Sequence, residues 1–405
     1  MPNLRKLQKS LRYITGKTTA VDKIAFLINE NYMFDHYENI MENLSPQKFD
    51  LILVDTFKNV EHNNILDKLL AKGWTVKFLQ DVIYNYKYKI LISHVYFGGS
   101  TVKSGSIFSR SVNVFIKVIN NLLKIININI EVRQQYLQNI IAETNVRFMY
   151  GADAGIKSFY EYGNNYCELF DHFFCHGPED ARITKRLFDK PIFVMGEPRY
   201  DHFFEKLHDQ VYLCNLRKKY SIDQKKESIL FITTVNDYFS TIETYAERIK
   251  NLSLNYNVIV RPHPLEIDFK SSKFNQKVFD IVTSGDLIFC GDLYQDMTEL
   301  YLLADYVFCD YGGSIFSAIY MNKRIILLNH EAVKKDEVVT NSTAMEVRKY
   351  LPSIDQEETD FLNYLNTDWS RYDNNLKKAR AFYFGKINAD ASKRAARYLS
   401  NMLGE

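Results

Sequence analysis

Short runs of β-branched and aromatic residues alternate with helical stretches along almost the whole chain, and this alternation constrains the fold most. Strands that are separated by helices form βαβ units, which build parallel sheets. Because twelve strands are too many for one open sheet, the pattern predicts two doubly wound, Rossmann-like α/β domains with a cleft between them. The predicted strands are Lys23–Asn29, Asp50–Val54, Thr75–Leu79, Lys89–Ser93, Arg147–Tyr150, His172–Cys175, Ile192–Met195, Ile229–Thr233, Val258–Arg261, Leu287–Cys290, Tyr306–Asp310 and Ile325–Leu328.

The length of the chain supports this division, because 405 residues exceed what one ordinary core accommodates. The stretch Pro198–Lys226 turns polar and charged, which is typical of a boundary. We therefore predict an N-terminal domain over residues 1–200 and a second domain over residues 201–375. The last segment, residues 376–405, has helical spacing, and we expect it to form a C-terminal helix that packs back towards the N-terminal domain.

Composition excludes several classes of protein. The chain is 46% hydrophobic and 25% charged, as in globular proteins, and its net charge of +2 gives no field that would attract nucleic acid. It contains no apolar run long enough to span a bilayer and no signal-peptide pattern at its start. Five cysteines are scattered without a C-x-x-C pair, which favours reduced thiols and a cytoplasmic location.

Two basic segments interrupt the alternation of strands and helices. Met1–Lys17 and residues 101–130 both carry lysine and arginine without any acidic residue, beside an apolar stripe at helical spacing. Basic amphipathic helices suit an anionic membrane surface, although a helix packed on the core with a solvated basic back would show the same pattern. The segments predict peripheral contact with the cytoplasmic face of the membrane.

The stretch "NVIVRPHPLE" ends a predicted strand with a cation and an imidazole between prolines. Arg261 and His263 follow directly after the buried run that starts at Asn257. Arginine and histidine can both form charge-assisted hydrogen bonds with phosphate, and the prolines restrict the loop so that less entropy is lost on binding.

A second stretch, "YVFCDYGGSIFSAIY", has a strand, a glycine turn and a helix in succession. The turn amides of Gly312 and Gly313 and the hydroxyl of Ser314 can approach an anion closely. In a parallel sheet this turn and the Arg261–His263 loop both lie at carboxyl ends of strands, where open α/β sheets bind ligands. The sequence therefore predicts that the two loops converge on one phosphate group.

Metal or cofactor chemistry has no support in the sequence. No H-E-x-x-H, C-x-x-C or D-x-D motif occurs. We expect neither a metal ion nor a cofactor to be needed.

These stretches resemble the CDP-glycerol glycerophosphotransferase family, the primases and polymerases of wall teichoic acid. The central family motif corresponds here to Glu299-Leu300, Ala304-Asp305, Asp310–Ser314, Phe316 and Lys323–Ile326, with Gly313 and Ser317 in place of a serine and an acidic residue. A G-x-P-R-x-D motif corresponds to Gly196, Pro198, Arg199 and Asp201, and a closing motif corresponds to Gly385, Ala391, Ser392 and Arg394. The match covers roughly residues 190–400.

The resemblance implies a GT-B fold with a cytidine nucleotide in the cleft, held mainly by the second domain. It implies a transferase that moves glycerol or ribitol phosphate from a CDP-activated donor to a glycan or lipid-linked acceptor and releases CMP. The candidate ligands of the donor phosphates or nucleotide are Arg199, Thr233, Thr234, Arg261, His263, Asp310, Gly312, Gly313 and Ser314.

The acceptor side departs from the family. The family's H-G-T motif, whose histidine acts on the acceptor, has its nearest equivalent at Tyr150-Gly151, where no histidine is available. Asp153 is the candidate base. His263 is the other residue predicted to act in catalysis. The acceptor side can also include His94, a second candidate base, and Gly98 and Gly99.

Two other functions stay open at this point. The segment "DAGIKSFY" is similar to a motif of bacterial sialyl- and polysialyltransferases, which are GT-B enzymes that use CMP-sugars. The alternative is thus a glycosyltransferase that uses a nucleotide sugar to build a capsule or lipopolysaccharide glycan. A non-catalytic nucleotide-binding protein of a polysaccharide assembly complex is the third possibility.

Overall fold

The computed structural model describes residues 19–29, 33–54, 66, 69–94, 141–149, 170–234, 241–263, 276–292, 296–335, 343–358 and 360–404. Within these residues the chain forms two separate parallel sheets with helices between the strands. Both basic segments, 1–17 and 101–130, lie outside them.

The first sheet has seven strands in the order β3-β2-β1-β4-β5-β6-β7, and every neighbouring pair is parallel. The order reverses between β1 and β4, which creates a crevice at the carboxyl ends of these two strands. The strands are β1 (Thr19–Ile28), β2 (Phe49–Leu53), β3 (Val76–Phe78), β4 (Tyr86–Ser93), β5 (Ala142–Phe148), β6 (His172–Cys175) and β7 (Ile192–Val194).

The second sheet has six parallel strands in the order β10-β9-β8-β11-β12-β13, and its order reverses between β8 and β11. The strands are β8 (Ser228–Ile232), β9 (Asn257–Arg261), β10 (Ile288–Phe289), β11 (Tyr306–Cys309), β12 (Arg324–Leu328) and β13 (Ser353–Ile354). All twelve predicted strands are present, with shifted ends. The thirteenth, β13, has only two residues and therefore no periodicity that a sequence could show.

Thirteen described helices connect and cover the two sheets. They are α1 (Met33–Glu42), α2 (Leu79–Asn85), α3 (Pro178–Leu187), α4 (Asp201–Lys206), α5 (Gln210–Lys219), α6 (Ile242–Asn251), α7 (Gln276–Val282), α8 (Met297–Leu303), α9 (Ser314–Tyr320), α10 (Thr343–Val347), α11 (Phe361–Leu365), α12 (Ser370–Phe384) and α13 (Ala391–Leu403).

Burial on both faces explains why the strands read as continuous apolar runs. All five residues of β8, β9 and β2 are buried, because helices cover each face of a parallel sheet. Asp50 in β2 is the polar exception, and its carboxylate accepts hydrogen bonds from Lys23, Lys77 and Tyr88. A buried carboxylate needs such partners to offset its lost hydration.

The C-terminal segment is not one helix, as the sequence predicted, but two. Gly385 has φ +64°, a conformation that other residues adopt at a cost, and the helix α12 ends directly before it. The following helix α13 returns to the first sheet, and Ala395 and Leu399 are buried in the core of that sheet. The domain limits at residues 200 and 375 stay predictions.

One carboxylate joins the chain between the sheets to this returning helix. Asp201 is 3% exposed and accepts hydrogen bonds from the amides of Ala391 (3.1 Å) and Ser392 (2.7 Å) and from the Ser392 hydroxyl (2.6 Å). It therefore caps α13 from a distance of 190 residues in sequence. Arg394 adds a bond of 2.7 Å from Nη2 to the Met195 carbonyl.

None of the helices that the structure describes is both long and apolar enough to cross a membrane.

The replacement Asp201→Ala should lower the free energy of unfolding by about 2 to 3 kcal/mol, because it leaves buried donors at the start of α13 without an acceptor. Urea denaturation measures the change. Asp286→Ala is the control, since Asp286 forms only an exposed ion pair with Lys250 and should change stability little. Equal stability of the two variants would contradict the capping role.

Candidate active site

The crevice of the second sheet brings the two predicted phosphate loops together. In the register of the sheet, Ile232 pairs with Arg261 on one side and with Cys309 on the other. Neighbouring strands lie about 4.8 Å apart, so the Cα atoms of Arg261 and Cys309 are roughly 10 Å apart. The turn 310–314 follows Cys309 directly, and the two loops therefore flank the point where the strand order reverses.

Arg261 is a buried cation at this edge, with 3% of its surface exposed. Its Nη1 donates to the carbonyls of Cys290 (2.9 Å) and Asp292 (2.6 Å), which hold the guanidinium group in place. Burial lowers the pKa of Arg261 to about 10, so the side chain stays charged at neutral pH. Among the described residues, no acceptor lies within hydrogen-bond distance of its Nε or Nη2.

His263 follows two residues later, but its charge differs from the prediction. Burial first, and then the charge of Arg261, lower the pKa of His263 to about 4. The imidazole is therefore neutral at pH 7 in this structure. It can offer one N–H group to a phosphate, but not the charge-assisted bond that the sequence predicted.

Asp310, a predicted ligand of the donor, has protein groups as its hydrogen-bond partners. Its carboxylate is fully buried and accepts hydrogen bonds from the amides of Thr234, Thr241 and Tyr311 and from the Thr241 hydroxyl. Burial raises the pKa of Asp310, and these hydrogen bonds oppose the shift. Because protein donors occupy both oxygens, Asp310 joins the glycine turn to the segments at Thr234 and Thr241.

The glycine turn lies against the end of β8. A Cβ atom placed on Gly312 would lie 3.5 Å from Thr234 Oγ1 and 3.8 Å from Ser314 Oγ, so the three residues are neighbours. Within the described part of the chain, the amides of Gly312, Gly313 and Ser314 donate no hydrogen bond. Thr233 is 3% exposed, and its hydroxyl has no hydrogen-bond partner there either. The turn thus carries several polar donors at one edge.

Arg348 supports the turn from behind, and the sequence pattern did not indicate it. Its guanidinium group lies 3.8 Å from the ring centre of Tyr311. Its Nη2 donates to the carbonyls of Asp310 (2.6 Å) and Leu328 (2.9 Å). These bonds from the half-buried Arg348 hold the backbone of the turn. Such tertiary contacts leave no pattern in the sequence.

Arg199 reaches the same crevice from the chain between the two sheets. It lies in a short 3-10 helix, Pro198–Tyr200, and the Tyr200 hydroxyl bonds to Ser317 Oγ of α9 at 3.0 Å. Its Nη2 lies 3.4 Å from Asp35 Oδ2, and its Nη1 lies 3.4 Å from His36 Nε2. Ser317, which replaces an acidic residue of the family pattern, thus holds Tyr200, the neighbour of Arg199 in sequence, and the charge of Arg199 acts on Arg261.

The first sheet contributes His94 at the carboxyl end of β4. Burial, followed by the charge of Arg147, lowers the pKa of His94 to about 3, so the imidazole is neutral and a weak base. Asp153, Gly98 and Gly99 lie outside the described residues and stay predictions. No group of three or more potential metal ligands occurs among the residues that the structure describes.

The comparison with protein families decides the assignment. The model of the family described as CDP-Glycerol:Poly(glycerophosphate) glycerophosphotransferase matches residues 153–403, which is more than half of the chain. The chain belongs to this family. It is therefore a transferase of the CDP-glycerol type, as the sequence predicted. A search of curated protein sequences finds no match.

Solved structures agree on the fold. The wall teichoic acid polymerase TagF superposes with a TM-score of 0.63 at 16% identity, over 99% of this chain and 94% of that chain. The S. aureus MnaA–UDP co-structure has a TM-score of 0.53 at 14% identity, with 95% and 98% covered, and a UDP-N-acetylglucosamine 2-epimerase has 0.51 at 15%, with 96% and 97% covered. Identities this low establish the fold alone, which is GT-B as predicted.

Replacing Asp310 by Asn should weaken binding of CDP-glycerol about tenfold. In either orientation, the new NH₂ group would face two of the backbone amides that now donate to the carboxylate and would displace the loops. Isothermal titration measures the affinity. Asp305→Asn is the matched control, since Asp305 accepts a bond from the Ser228 amide (2.8 Å) at the opposite end of β11. Equal affinities of the two variants would show that Asp310 does not organise the site.

Proposed function

We propose that the chain transfers glycerol phosphate or ribitol phosphate from its CDP derivative to an acceptor hydroxyl and releases CMP. The meeting of Arg261, His263 and the 312–314 turn at the reversal point of the second sheet carries this proposal, because these residues all fall inside the span matched by the family. The donor diphosphate would lie across this edge.

The chemistry follows from the charges of the site. An acceptor oxygen attacks the phosphorus that bears the polyol, and the bond from that phosphorus to the bridging oxygen breaks. Negative charge then grows on the leaving CMP. The fixed cation of Arg261, the N–H of His263 and the turn amides would stabilise that charge without having to reorganise during the reaction.

The acceptor is a glycan or a lipid-linked glycan of a teichoic-acid-like or capsule polymer. The segments 1–17 and 101–130 would hold the protein at the cytoplasmic face of the membrane, close to a lipid-linked acceptor. Catalysis would proceed without a metal ion. The family match favours attack at phosphorus over the sugar transfer that the sequence left open.

The replacement His263→Ala should weaken donor binding about tenfold, which is the value of one neutral hydrogen bond. CMP release is measured from CDP-glycerol, CDP-ribitol and CMP-sugars, with a synthetic glycerol phosphate oligomer as acceptor. The control is His202→Ala, because His202 is half-exposed and pairs only loosely with Glu205.

Turnover of a CDP-polyol by the wild-type protein, with reduced donor affinity in the His263 variant alone, is the expected result. Turnover of a sugar nucleotide instead would make the protein a glycosyltransferase. Binding of CMP without turnover of any donor would make it a binding protein. Unchanged donor affinity in the His263 variant would place the diphosphate elsewhere.

A further inference from the structure

The reaction needs a group that accepts the proton of the acceptor hydroxyl, and one carboxylate of the first sheet occupies a suitable place. Asp35 lies in the first turn of α1, the helix that follows β1. Since the strand order of the first sheet reverses between β1 and β4, Asp35 lies at the crevice of that sheet. It belongs to the part of the chain outside the family match.

The surroundings of Asp35 come from both halves of the molecule. Its Oδ2 pairs with Arg199 Nη2 at 3.4 Å, and the Asp35 side chain is 28% exposed. The charges of Arg261 on β9 and of Asp296 at the start of α8 also act on it, as does Glu38 on its own helix. His36, its neighbour, contacts Arg199. Asp35 therefore faces the two cations of the donor side.

The surroundings of Asp35 also shift the pKa of its carboxyl group. Burial raises the pKa of Asp35 to about 6, and Asp296 and Glu38 raise it as well, whereas Arg199 and Arg261 lower it. A carboxylate with a pKa near neutrality is a stronger base than an ordinary aspartate and is still deprotonated at pH 7. Burial is the largest of these effects, and it favours proton uptake by the Asp35 carboxylate.

Other described groups near the crevice suit this task less well. Burial lowers the pKa of His36 well below its usual value and that of His94 to about 3, so both accept a proton poorly. Asp310 has both carboxylate oxygens occupied by protein donors. Glu197 is only 3% exposed, and its carboxylate lies 3.4 Å from the fully buried His176.

We propose that Asp35 is the catalytic base that takes the proton of the acceptor hydroxyl. As the acceptor oxygen bonds to the polyol-bearing phosphorus, its proton passes to a carboxylate oxygen of Asp35. The electron pair of the broken phosphorus–oxygen bond leaves with CMP, and Asp35 afterwards returns the proton to water. Arg199 pairs with Asp35, and its charge acts on Arg261, so a phosphate bound by both cations would have its phosphorus close to the base. The inference rests on the proposed function.

The test is the pH dependence of kcat for CMP release from CDP-glycerol, with the synthetic glycerol phosphate oligomer as acceptor. In the wild-type protein, kcat should fall about tenfold per pH unit below a midpoint near 6, because protonated Asp35 cannot accept a proton. Asp35→Asn should lower kcat by about 10²- to 10⁴-fold and remove this dependence, and should leave the Kd of CDP-glycerol within about threefold.

The matched control is Glu42→Gln, because Glu42 lies on the same helix and only pairs with Lys72 at the surface. It should keep the wild-type rate and pH profile. Asp153→Asn is measured in parallel, since Asp153 is the base that the sequence predicted.

Three results would overturn the assignment of Asp35. In the first, the Asp35→Asn variant keeps the fall of kcat below pH 6. In the second, it loses activity only because it binds CDP-glycerol more weakly. In the third, the fall of kcat disappears in the Asp153→Asn variant instead. Each of these leaves wild-type turnover of CDP-glycerol intact and so leaves the proposed function standing. If the wild-type protein released no CMP from any CDP-polyol, the proposed function would fail, and the role of Asp35 with it.

Discussion

The buried carboxylate of Asp201 is the contact on which the arrangement of the two sheets depends. It receives three hydrogen bonds from the start of α13, and α13 in turn packs its apolar face into the core of the first sheet. The chain that leaves the first sheet and the helix that returns to it are thereby joined at one point. Asn39 of α1 adds a bond of 2.9 Å to the Pro198 carbonyl. The crevices of both sheets consequently share one boundary.

Two cations, Arg261 and Arg199, lie close to each other at that boundary, since the charge of Arg199 acts on Arg261. Arg261 is held by the carbonyls of Cys290 and Asp292, and Arg199 pairs with Asp35. The carboxylate of Asp310 accepts hydrogen bonds from three backbone amides and from the Thr241 hydroxyl. Both guanidinium groups can form charge-assisted hydrogen bonds with a diphosphate. The same two cations lower the pKa of Asp35 against the larger effect of its burial.

Much of the fold could be predicted from the sequence, because a strand buried on both faces leaves a continuous apolar run. The meeting of "RPHP" with "DYGGS" was also predictable, since parallel strands end at a common edge. The roles of single polar residues were not. In the sequence, Asp310 cannot be distinguished from other loop aspartates. Only its four protein hydrogen-bond donors show that it holds loops together. Asp35 lies in an ordinary helical pattern, and its partner Arg199 is 164 residues away in sequence. Arg348 follows a short helix, and its partner Asp310 is 38 residues away.

The most direct test of the account is a crystal structure with CDP-glycerol bound. We expect the diphosphate to lie across the carboxyl ends of β8, β9 and β11, within hydrogen-bond distance of Arg261, His263 and the amides of residues 312–314. The polyol would then point towards α1. A diphosphate bound at the first sheet, or one that leaves the Arg261 loop and the glycine turn without contact, would contradict it.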